Sequence, residues 1–498
     1  MRTALQAADV DECCDGRWFT RLEEFMHYIR AVAWIVLTGT LVLTGCVSNR
    51  AQSTFNDVRA DVVQRAGHRI EWNRDRADAE VSRGRSNALL ADDLRIEQAV
   101  EIALLNNPRL QALYESIGLA EAEVVDAMLP PNPSFEAIYK SIHEGGHIWE
   151  FILVQEVVDL VMIPWRKDAR EANAERVRAR VTAGVLDVLL DVKVAYRQVQ
   201  TAQQLLGMLC TVRKSDLAAY EMANRLRDAG NIPKLELRGR KAVLEQTKLA
   251  VRDAELNLAE RREALTVLLG LQQPESDWRL APLPEIPDRA LDAKAIRTEA
   301  LPNSLDLSMA GYELRRTLEQ EGITDVTSLL PELHVGVESE REPDGTWIVG
   351  PMLEFPLPLF DWGQADRAGA EAAVRRAGAQ YRAAQVEVAS AVRLVADRLR
   401  ITRDQAVRYR DILVPLQKDL MQETQLHFNA MQLGVFQLLA AKKEELQVRQ
   451  AYVEALRNYW VARAEAEQLM NGRMVRASAV AGGAAPQGGT GGSGGNGH

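Results

Sequence analysis

The chain has 498 residues, of which 47% are apolar, so it is long enough to form more than one ordinary hydrophobic core. Its 60 basic and 70 acidic residues give a net charge of -10, which excludes the dense positive charge of a nucleic-acid-binding protein. Four cysteines are too few and too scattered for a disulfide framework or a four-cysteine metal site; they are Cys13, Cys14, Cys46 and Cys210.

Residues 1–45 are predicted to be a signal region. An acidic stretch at 11–15 does not suit the front of a signal peptide, so we take Met26 as the true start. The uncharged, mostly apolar segment at 31–43 is shorter than the roughly 17 to 25 residues of a membrane helix. Its length fits the apolar part of a signal peptide.

The signal region ends in Leu43-Thr44-Gly45-Cys46, which resembles the lipobox of bacterial lipoproteins. The resemblance implies that Cys46 becomes the first residue and carries the lipid anchor, palmitate included. The following residue, Val47, implies delivery to the outer membrane. A polar, lipidated linker is then expected at 46–91.

The rest of the chain repeats one pattern with a nearly constant offset. We predict a first repeat at 92–272, a linker at 273–298 and a second repeat at 299–472. A heptad seam occurs at an offset of 200: Val188, Val192, Ala195 and Val199 correspond to Val388, Val392, Val395 and Leu399. The constant offset indicates that both repeats contain long helices.

Prolines and glycines mark the predicted helix boundaries. No proline occurs between Pro164 and Pro233, which predicts a very long helix, and a second helix returns antiparallel after Pro233. In the second repeat, Pro415 is expected to kink or reset the helix. The Gly-rich tail at 473–498 is predicted to be disordered.

Each repeat also contains a predicted β-hairpin, near 134–158 and near 332–357. Both segments are rich in β-branched and aromatic residues, and Pro343-Asp344-Gly345 is a turn signal in the second. The aromatic residues suit a membrane interface; they are Phe135, Tyr139, Trp149, Phe151, Trp347 and Phe355. The predicted fold is mainly α with a small β part, built as two structural repeats of long antiparallel helices plus a β-hairpin.

The turn of the first hairpin contains His143-Glu144-Gly145-Gly146-His147. On a helix, this spacing lets two histidines hold zinc while the glutamate acts as the general base of a hydrolase. Two adjacent glycines cost a helix about 2 kcal/mol relative to alanines, whereas they suit a tight turn. Three interpretations stay open: a solvated turn, which we favour, adventitious metal binding by a loop, and a zinc hydrolase acting through His143, Glu144 and His147.

Three further motifs, at 103–108, 127–133 and 355–364, resemble the TolC-type outer-membrane efflux factors. The most specific is Pro-Leu-Pro-Leu-Phe-Asp-Trp-Gly-Gln at 356–364, and the similarity extends over roughly residues 92–472. It implies a homotrimer in which twelve strands form one outer-membrane β-barrel, continued by an α-helical barrel across the periplasm. It also implies a passive exit duct of a tripartite efflux or secretion system.

By the same resemblance, the helix-helix turns at the periplasmic end dock a periplasmic adaptor protein, which connects the channel to an inner-membrane pump. The matching residues are Gly230, Asn231, Ile232 and Pro233 in the first repeat and Met431, Gln432, Leu433, Gly434, Val435 and Phe436 in the second. Leu433, Val435 and Phe436 are expected to be exposed and to suit an apolar docking contact. The alternative is that Gly230 and Gly434 are only helix C-caps.

Catalytic motifs are absent from the sequence: it contains no Gly-rich phosphate loop, no nucleophile elbow and no acid-base pair. We therefore predict no enzyme activity, no cofactor and no metal. A rival interpretation is a non-channel periplasmic coiled-coil lipoprotein, an adaptor or spacer, whose hairpins form a small soluble β domain. The sequence does not indicate which substrate or which adaptor the protein uses.

Overall fold

The computed structural model describes residues 50–91, 93–142, 146–271, 278–288, 291, 293–329, 332–357 and 359–475. The predicted signal region, with its start at Met26, and the lipidated Cys46 lie outside the described residues, as does the tail from residue 476. Contacts divide the chain into residues 1–54 and residues 55–498. In the first unit, residues 50–54 are helical.

The second unit begins with helical residues 55–66. Its first half contains α1 (Arg76–Leu89), α2 (Ile96–Asn106), α3 (Pro108–Met128), β1 (Ser134–Ile142), β2 (Gly146–Glu156), α4 (Val158–Val161), α5 (Ile163–Asp228) and α6 (Lys234–Leu269). Its second half contains α7 (Ala293–Ala300), α8 (Leu305–Leu329), β3 (His334–Arg341), β4 (Trp347–Glu354), α9 (Gln364–Arg408), a π-helical turn (Tyr409–Leu413), α10 (Val414–Asn429) and α11 (Val435–Met470). The prediction of a mainly helical fold with a small antiparallel sheet is confirmed.

The longest helix, α5, has 66 residues, which corresponds to about 100 Å at 1.5 Å per residue. Pro164 lies in its first turn, where the missing N–H has no intrahelical partner in any case. The helix ends at Asp228, and Gly230 follows with a φ of 76°. Within the described residues, no helix is both long and apolar enough to cross a membrane.

Helix α5 is the element around which the other helices pack. It contacts α3, α6, α8 and α11 along its length, and α11 in turn contacts α9 and α10. The long helices are therefore arranged in the order α6, α5, α11, α9. The heptad positions lie in the buried seam with the exception of Val188, which is half-buried; Val192 and Val199 of α5 and Val392 and Leu399 of α9 are buried.

Helices α5, α6, α10 and α11 end in the same backbone motif. After each helix one residue has a positive φ, and its N–H and the following N–H bond to carbonyls of the last helical turn. These residues are Gly230, Gly270, Met431 and Gly472, with φ values of 76°, 71°, 61° and 94°. Met431 is the exception, because the left-handed conformation strains a residue with a Cβ by roughly 1–2 kcal/mol.

The π-helical turn separates α9 from α10 and ends two residues before Pro415, which occupies the first turn of α10. Proline has no N–H to donate to the preceding turn, so the regular hydrogen-bond ladder cannot continue through it. The wider π-helical turn absorbs this break and the helix then resumes. The reset of the helix that was expected at Pro415 is therefore a π-helical turn followed by a new α-helix.

Residues 278–288, which we name the strap, run across the long helices. Each helix donates a side-chain hydrogen bond to a strap carbonyl: Arg262 of α6 to Trp278 at 3.0 Å, Gln200 of α5 to Ala281 at 2.6 Å, Trp460 of α11 to Pro284 at 2.9 Å and Arg403 of α9 to Asp288 at 3.1 Å. The order of these contacts along the strap is the packing order of the helices. The strap therefore ties the four helices together in that order.

A charge cluster joins α5 to α11. Lys193 Nζ lies 3.0 Å from Glu467 Oε2, and Arg463 Nε lies 3.2 Å from Glu467 Oε1. Burial alone raises the pKa of Glu467, but the two cations offset this effect, and the pKa lies below its usual 4.5. Because this pKa is lower in the folded chain than in the unfolded chain, the carboxylate stabilises the fold at neutral pH, and this stabilisation is lost as the pH falls through the folded pKa.

We expect Glu467→Gln to lower the thermal unfolding midpoint at pH 7, and this effect to shrink as the pH falls below 4.5 and through the lowered folded pKa, where the carboxylate of the native chain also becomes protonated. Circular dichroism melting at a series of pH values measures the difference. Glu454→Gln, at an exposed position of the same helix, is the control. A difference between Glu467→Gln and the native chain that stays constant across the pH series would contradict the prediction.

Candidate functional site: a two-faced sheet and two helical turns

The four strands form one antiparallel sheet in the order β1, β2, β3, β4. The register pairs Tyr139 with Trp149, Trp149 with Arg341 and Arg341 with Trp347. Directly paired residues point to the same face, and successive residues along a strand alternate between faces. The register therefore assigns each residue to one of two faces.

The first face is mostly apolar and exposed to the surroundings. Its large apolar residues are Phe135, Tyr139, Trp149, Phe151, Leu153, Val335, Val337, Trp347, Val349 and Leu353. The aromatic rings form a row: ring centroids are 4.8 Å apart for Tyr139 and Trp149, 6.2 Å for Trp149 and Phe151, and 6.1 Å for Phe151 and Trp347. An exposed apolar surface of this extent indicates contact with lipid or with another protein.

The second face combines apolar residues, such as Ile138, Ile152 and Met352, with every glutamate of the four strands, and we name it the acidic face. Along the four strands it carries Glu136, Glu150, Glu156, Glu338, Glu340 and Glu354. Its basic side chains are Lys140, whose Nζ lies 2.5 Å from Glu150 Oε2, and His334. In β3 this face is the less exposed one: Glu338 and Glu340 are half-buried, whereas Val337 on the opposite face is 49% exposed.

The aromatic residues of the sheet are predicted from the sequence, whereas the glutamates are not. A signal was present, because Glu338 and Glu340 are separated by one residue and so fall on the same face of a strand. Glu136 and Glu150 lie on different strands, and only the register shows that they share that face. Sequence spacing within one strand cannot supply this information.

The pattern from His143 to His147 connects two strands. Strand β1 ends at Ile142 and β2 begins at Gly146, so the helix that a zinc hydrolase of this type requires is not formed. His143 and Glu144 lie outside the described residues. The Nδ1 atom of His147 lies 2.6 Å from the hydroxyl oxygen of Tyr139, so this histidine forms a hydrogen bond within the sheet.

The motif at 356–364 leads from β4 into α9. Gly363 has a φ of 69°, and a Cβ at this position would lie 2.4 Å from the side chain of Ser328, so both conformation and space require glycine. The Asp361 carboxylate accepts a hydrogen bond from the Gly363 N–H at 2.9 Å. Phe360 and Trp362 are 93% and 61% exposed. Exposed aromatic rings just beyond the strands suit an interface between lipid and water.

The two helix-helix turns lie side by side. The guanidinium carbon of Arg240, near the start of α6, lies 4.1 Å from the ring centroid of Phe436, in the first turn of α11. This cation-π contact links the two turns across the repeats. Gly230 and Asn231 are exposed in the first turn, and Met431 is 94% exposed in the second. Of the predicted docking residues, Phe436 thus contacts the start of α6, just after the turn of the first repeat.

Three details differ from the sequence-based expectations for these turns. Leu433, Val435 and Phe436 are half-buried rather than exposed, and Arg240 covers the ring of Phe436. Val435 and Phe436 belong to the first turn of α11.

Gly434 also differs from the expected C-cap. It precedes α11 as its N-cap, with a φ of −84°, and its N–H donates to Gln437 Oε1 at 2.8 Å. Gly230 does serve as a C-cap residue, because it follows α5 in the left-handed conformation. The left-handed position of the second turn is occupied by Met431 instead of a glycine.

Comparisons with known proteins agree with this architecture. The outer membrane efflux protein family model matches residues 155–271. The cobalt-zinc-cadmium resistance protein CzcC of Cupriavidus metallidurans is 22% identical over 375 residues, which cover 74% of this chain and 87% of CzcC.

The fold is similar to solved outer-membrane proteins. The CmeC outer membrane channel of Campylobacter jejuni superposes with a TM-score of 0.65 at 15% identity, covering 76% of this chain and 86% of CmeC. The outer membrane protein VceC of Vibrio cholerae gives a TM-score of 0.62 at 14% identity, covering 76% of this chain and 96% of VceC. The resemblance to the outer-membrane efflux family that the sequence motifs indicated is confirmed.

Met431→Gly is expected to raise the free energy of unfolding by about 1 kcal/mol, because glycine adopts the left-handed conformation without strain. Denaturant titration followed by circular dichroism measures the change. Gly230→Met is the matched variant in the other turn, where no neighbouring atom lies within 4 Å of an added Cβ. It should lower the free energy of unfolding by a similar amount. Unchanged stability of Met431→Gly would show that the turn holds this methionine without strain.

Proposed function

We propose that the chain is one subunit of an outer-membrane efflux channel. The observation that carries the proposal is the two-faced sheet, in which an exposed aromatic face backs an acidic face within a single layer. A layer of this kind separates lipid on one side from water on the other. The match to the efflux family and the fold shared with outer-membrane channels support the same function.

Closure of the sheet requires further copies of the chain. Strands β1 and β4 are the edges of the sheet, and each has an unpaired row of backbone N–H and C=O groups. Such groups are not tolerated against lipid, and four strands are too few to close, since small barrels need about eight. Because β4 runs antiparallel to β1, β4 of one copy can pair with β1 of the next. Three copies would form a twelve-stranded barrel, continued by their long helices as a helical barrel.

The same proposal assigns the attachment and the partners of the channel. Cys46 carries the lipid that holds the linker at the outer membrane. The long helices extend into the periplasm, and the exposed turns dock the periplasmic adaptor, through which an inner-membrane pump supplies the energy. Met431 supports the docking role, because it is the most exposed apolar side chain of either turn and retains a strained conformation.

The acidic face further indicates the charge of the substrate. Its glutamates outnumber its basic residues, so a lumen lined by this face attracts cations and repels anions. The relative CzcC is named for resistance to cobalt, zinc and cadmium. We therefore propose that this channel exports cationic substrates and that divalent metal ions are among them.

The mass of the protein purified from outer membranes in detergent, by light scattering corrected for bound detergent, tests the assembly. We expect a trimer that precipitates when detergent is withdrawn, because the apolar faces of the sheets then lose their cover. The comparison protein is the same chain without residues 134–156 and 334–354, the two hairpins. It should stay in solution without detergent once Cys46 is also replaced by Ser.

A monomer or dimer of the intact chain that stays soluble after Cys46→Ser would contradict the channel and favour the periplasmic spacer instead.

Ion selectivity tests the acidic face. Glu338→Gln combined with Glu340→Gln should lower the ratio of cation to anion permeability by about twofold or more, because carboxylates that attract cations are removed from the lumen. Reversal potentials in planar bilayers under a salt gradient give this ratio. Glu338→Asp with Glu340→Asp preserves the charge and should preserve the selectivity. Equal reversal potentials for the Gln pair and the native channel would place these residues outside the conducting path.

A further inference from the structure

The N-terminal arm, which we define as residues 55–75, connects the two halves of the chain. Nη1 of Arg65 donates hydrogen bonds to the carbonyls of Asn303, at 2.8 Å, and Asn471, at 2.9 Å, which lie before α8 and after α11. Further along the arm, the side-chain amide of Asn73 donates to a carbonyl of α2 at 3.0 Å. The arm therefore crosses from the second half of the chain to the first between Arg65 and Asn73.

His68 lies at this crossing, against α5 and α11. The imidazole is half-buried, and its ring forms no hydrogen bond with any of the described residues. It borders a cavity of about 30 Å³, whose wall consists of Ala66, His68, Leu186, Leu189, Leu190, Lys193, Ala464, Gln468 and Asn471. Because most of this wall is apolar, a charge on the ring loses hydration without gaining a partner.

The charges around the ring leave little to compensate a further proton. Lys193 of α5 belongs to the same cavity wall as His68. Glu97 and Glu101 of α2 also act on the ring. Most of the neighbouring carboxylates are already paired with cations: Glu467 with Lys193 and Arg463, Asp187 with Arg473, and Glu101 with Arg85 of α1. A proton on His68 would therefore stand beside Lys193 as a second positive charge.

These surroundings keep the ring neutral when the arm is packed on the helices. Burial lowers the pKa of His68 below its usual 6.5 and Lys193 lowers it further, whereas Glu101 and Glu97 offset only part of this effect. In a detached arm the pKa is the usual 6.5, so the detached arm binds the proton more strongly. Attachment is therefore strongest above pH 6.5 and weakens as the pH falls from 6.5 through the lower pKa of the packed arm.

We propose that His68 is an acid-sensitive latch for the N-terminal arm. Above pH 6.5 the neutral ring packs on α5 and α11 and holds the arm across the two halves of the chain. At lower pH the protonated ring, beside Lys193, moves residues 66–69 away from the two helices. The hydrogen bond of Asn73 keeps the end of the arm on α2.

The latch controls how firmly the start of the chain is tied to the long helices. The arm follows the linker that begins at Cys46, the predicted lipid attachment site, and Arg65 holds the junction of α8 and α11 close to the latch. Release of His68 therefore loosens this junction from the arm as the surroundings become acidic. The inference goes beyond the proposed channel function and concerns the folded subunit, so it does not depend on the number of copies in the assembly.

Spin labelling of the full chain in detergent tests the latch. Starting from Cys210→Ala, we attach a nitroxide at Arg69→Cys, an exposed position of the arm beside His68. Its mobility is compared about one pH unit above and one below 6.5. We expect the mobile fraction to rise about threefold or more at the lower pH, because local release follows protonation. The Cys210→Ala protein without Arg69→Cys gives the background signal.

Two variants with the same substitution identify the responding group. His68→Gln has no ring to protonate and should make the mobility independent of pH in this range. His427→Gln, at an exposed position near the end of α10, is the matched control and should keep the response of the native arm. Equal mobility of the native arm at both pH values would overturn the latch. A response that persists in His68→Gln would also overturn it.

The pKa of His68 provides an independent measurement in the same protein. Exchange of the histidine C2 hydrogen with deuterium, followed by mass spectrometry, gives the pKa of each ring. We expect a value below 6.5 for His68, and Lys193→Gln should raise it because a neighbouring positive charge is removed. Lys214→Gln, at an exposed position further along α5, should leave it unchanged. A value of 6.5 or above for the native chain, or no rise in Lys193→Gln, would contradict the proposal.

Discussion

The packing of α5 against α11 is the interaction on which the other elements depend. A helix of 66 residues gains little stability from its own hydrogen bonds in water and needs an apolar face covered along its length. Val192 and Val199 supply part of that face, and Lys193 pairs with Glu467 of α11 beside it. Once these two helices are joined, α6 packs on one side, and α9 and α10 pack on the other. The strap crosses α6, α5, α11 and α9 and accepts a side-chain hydrogen bond from each.

The long helices position the strands of the sheet. Both hairpins leave and re-enter long helices, so β2 and β3 meet as neighbours although they come from distant parts of the sequence. Their pairing collects six glutamates on one face and the aromatic row on the other. A sheet with these two faces and two free edges is not stable alone in water or in lipid. The proposed ring of identical subunits would pair these edges and give the apolar face one continuous surface.

The two turns show how a repeated backbone can carry different chemistry. Both follow their helix with a residue in the left-handed conformation, and in one turn this residue is Gly230 while in the other it is Met431. Glycine adopts this conformation without strain in the first turn. In the second turn, Met431 places a large apolar side chain at the most exposed point. Arg240 holds the two turns together through Phe436. The repeat thus sets the geometry, whereas the individual side chains differentiate the two surfaces.

The sequence by itself determined which segments are helical and which are strands. The absence of proline between Pro164 and Pro233, the recurring heptads and the β-branched hairpins are local patterns, and local backbone preferences follow from them. Sequence motifs likewise indicated the efflux family. The tertiary structure alone decided which glutamates share a face, because that depends on strand register between hairpins almost 200 residues apart. It also decided that Phe436 is covered and Met431 is not, since Arg240 comes from the other repeat. Burial and facing depend on neighbours that are distant in the chain, and no local pattern specifies them.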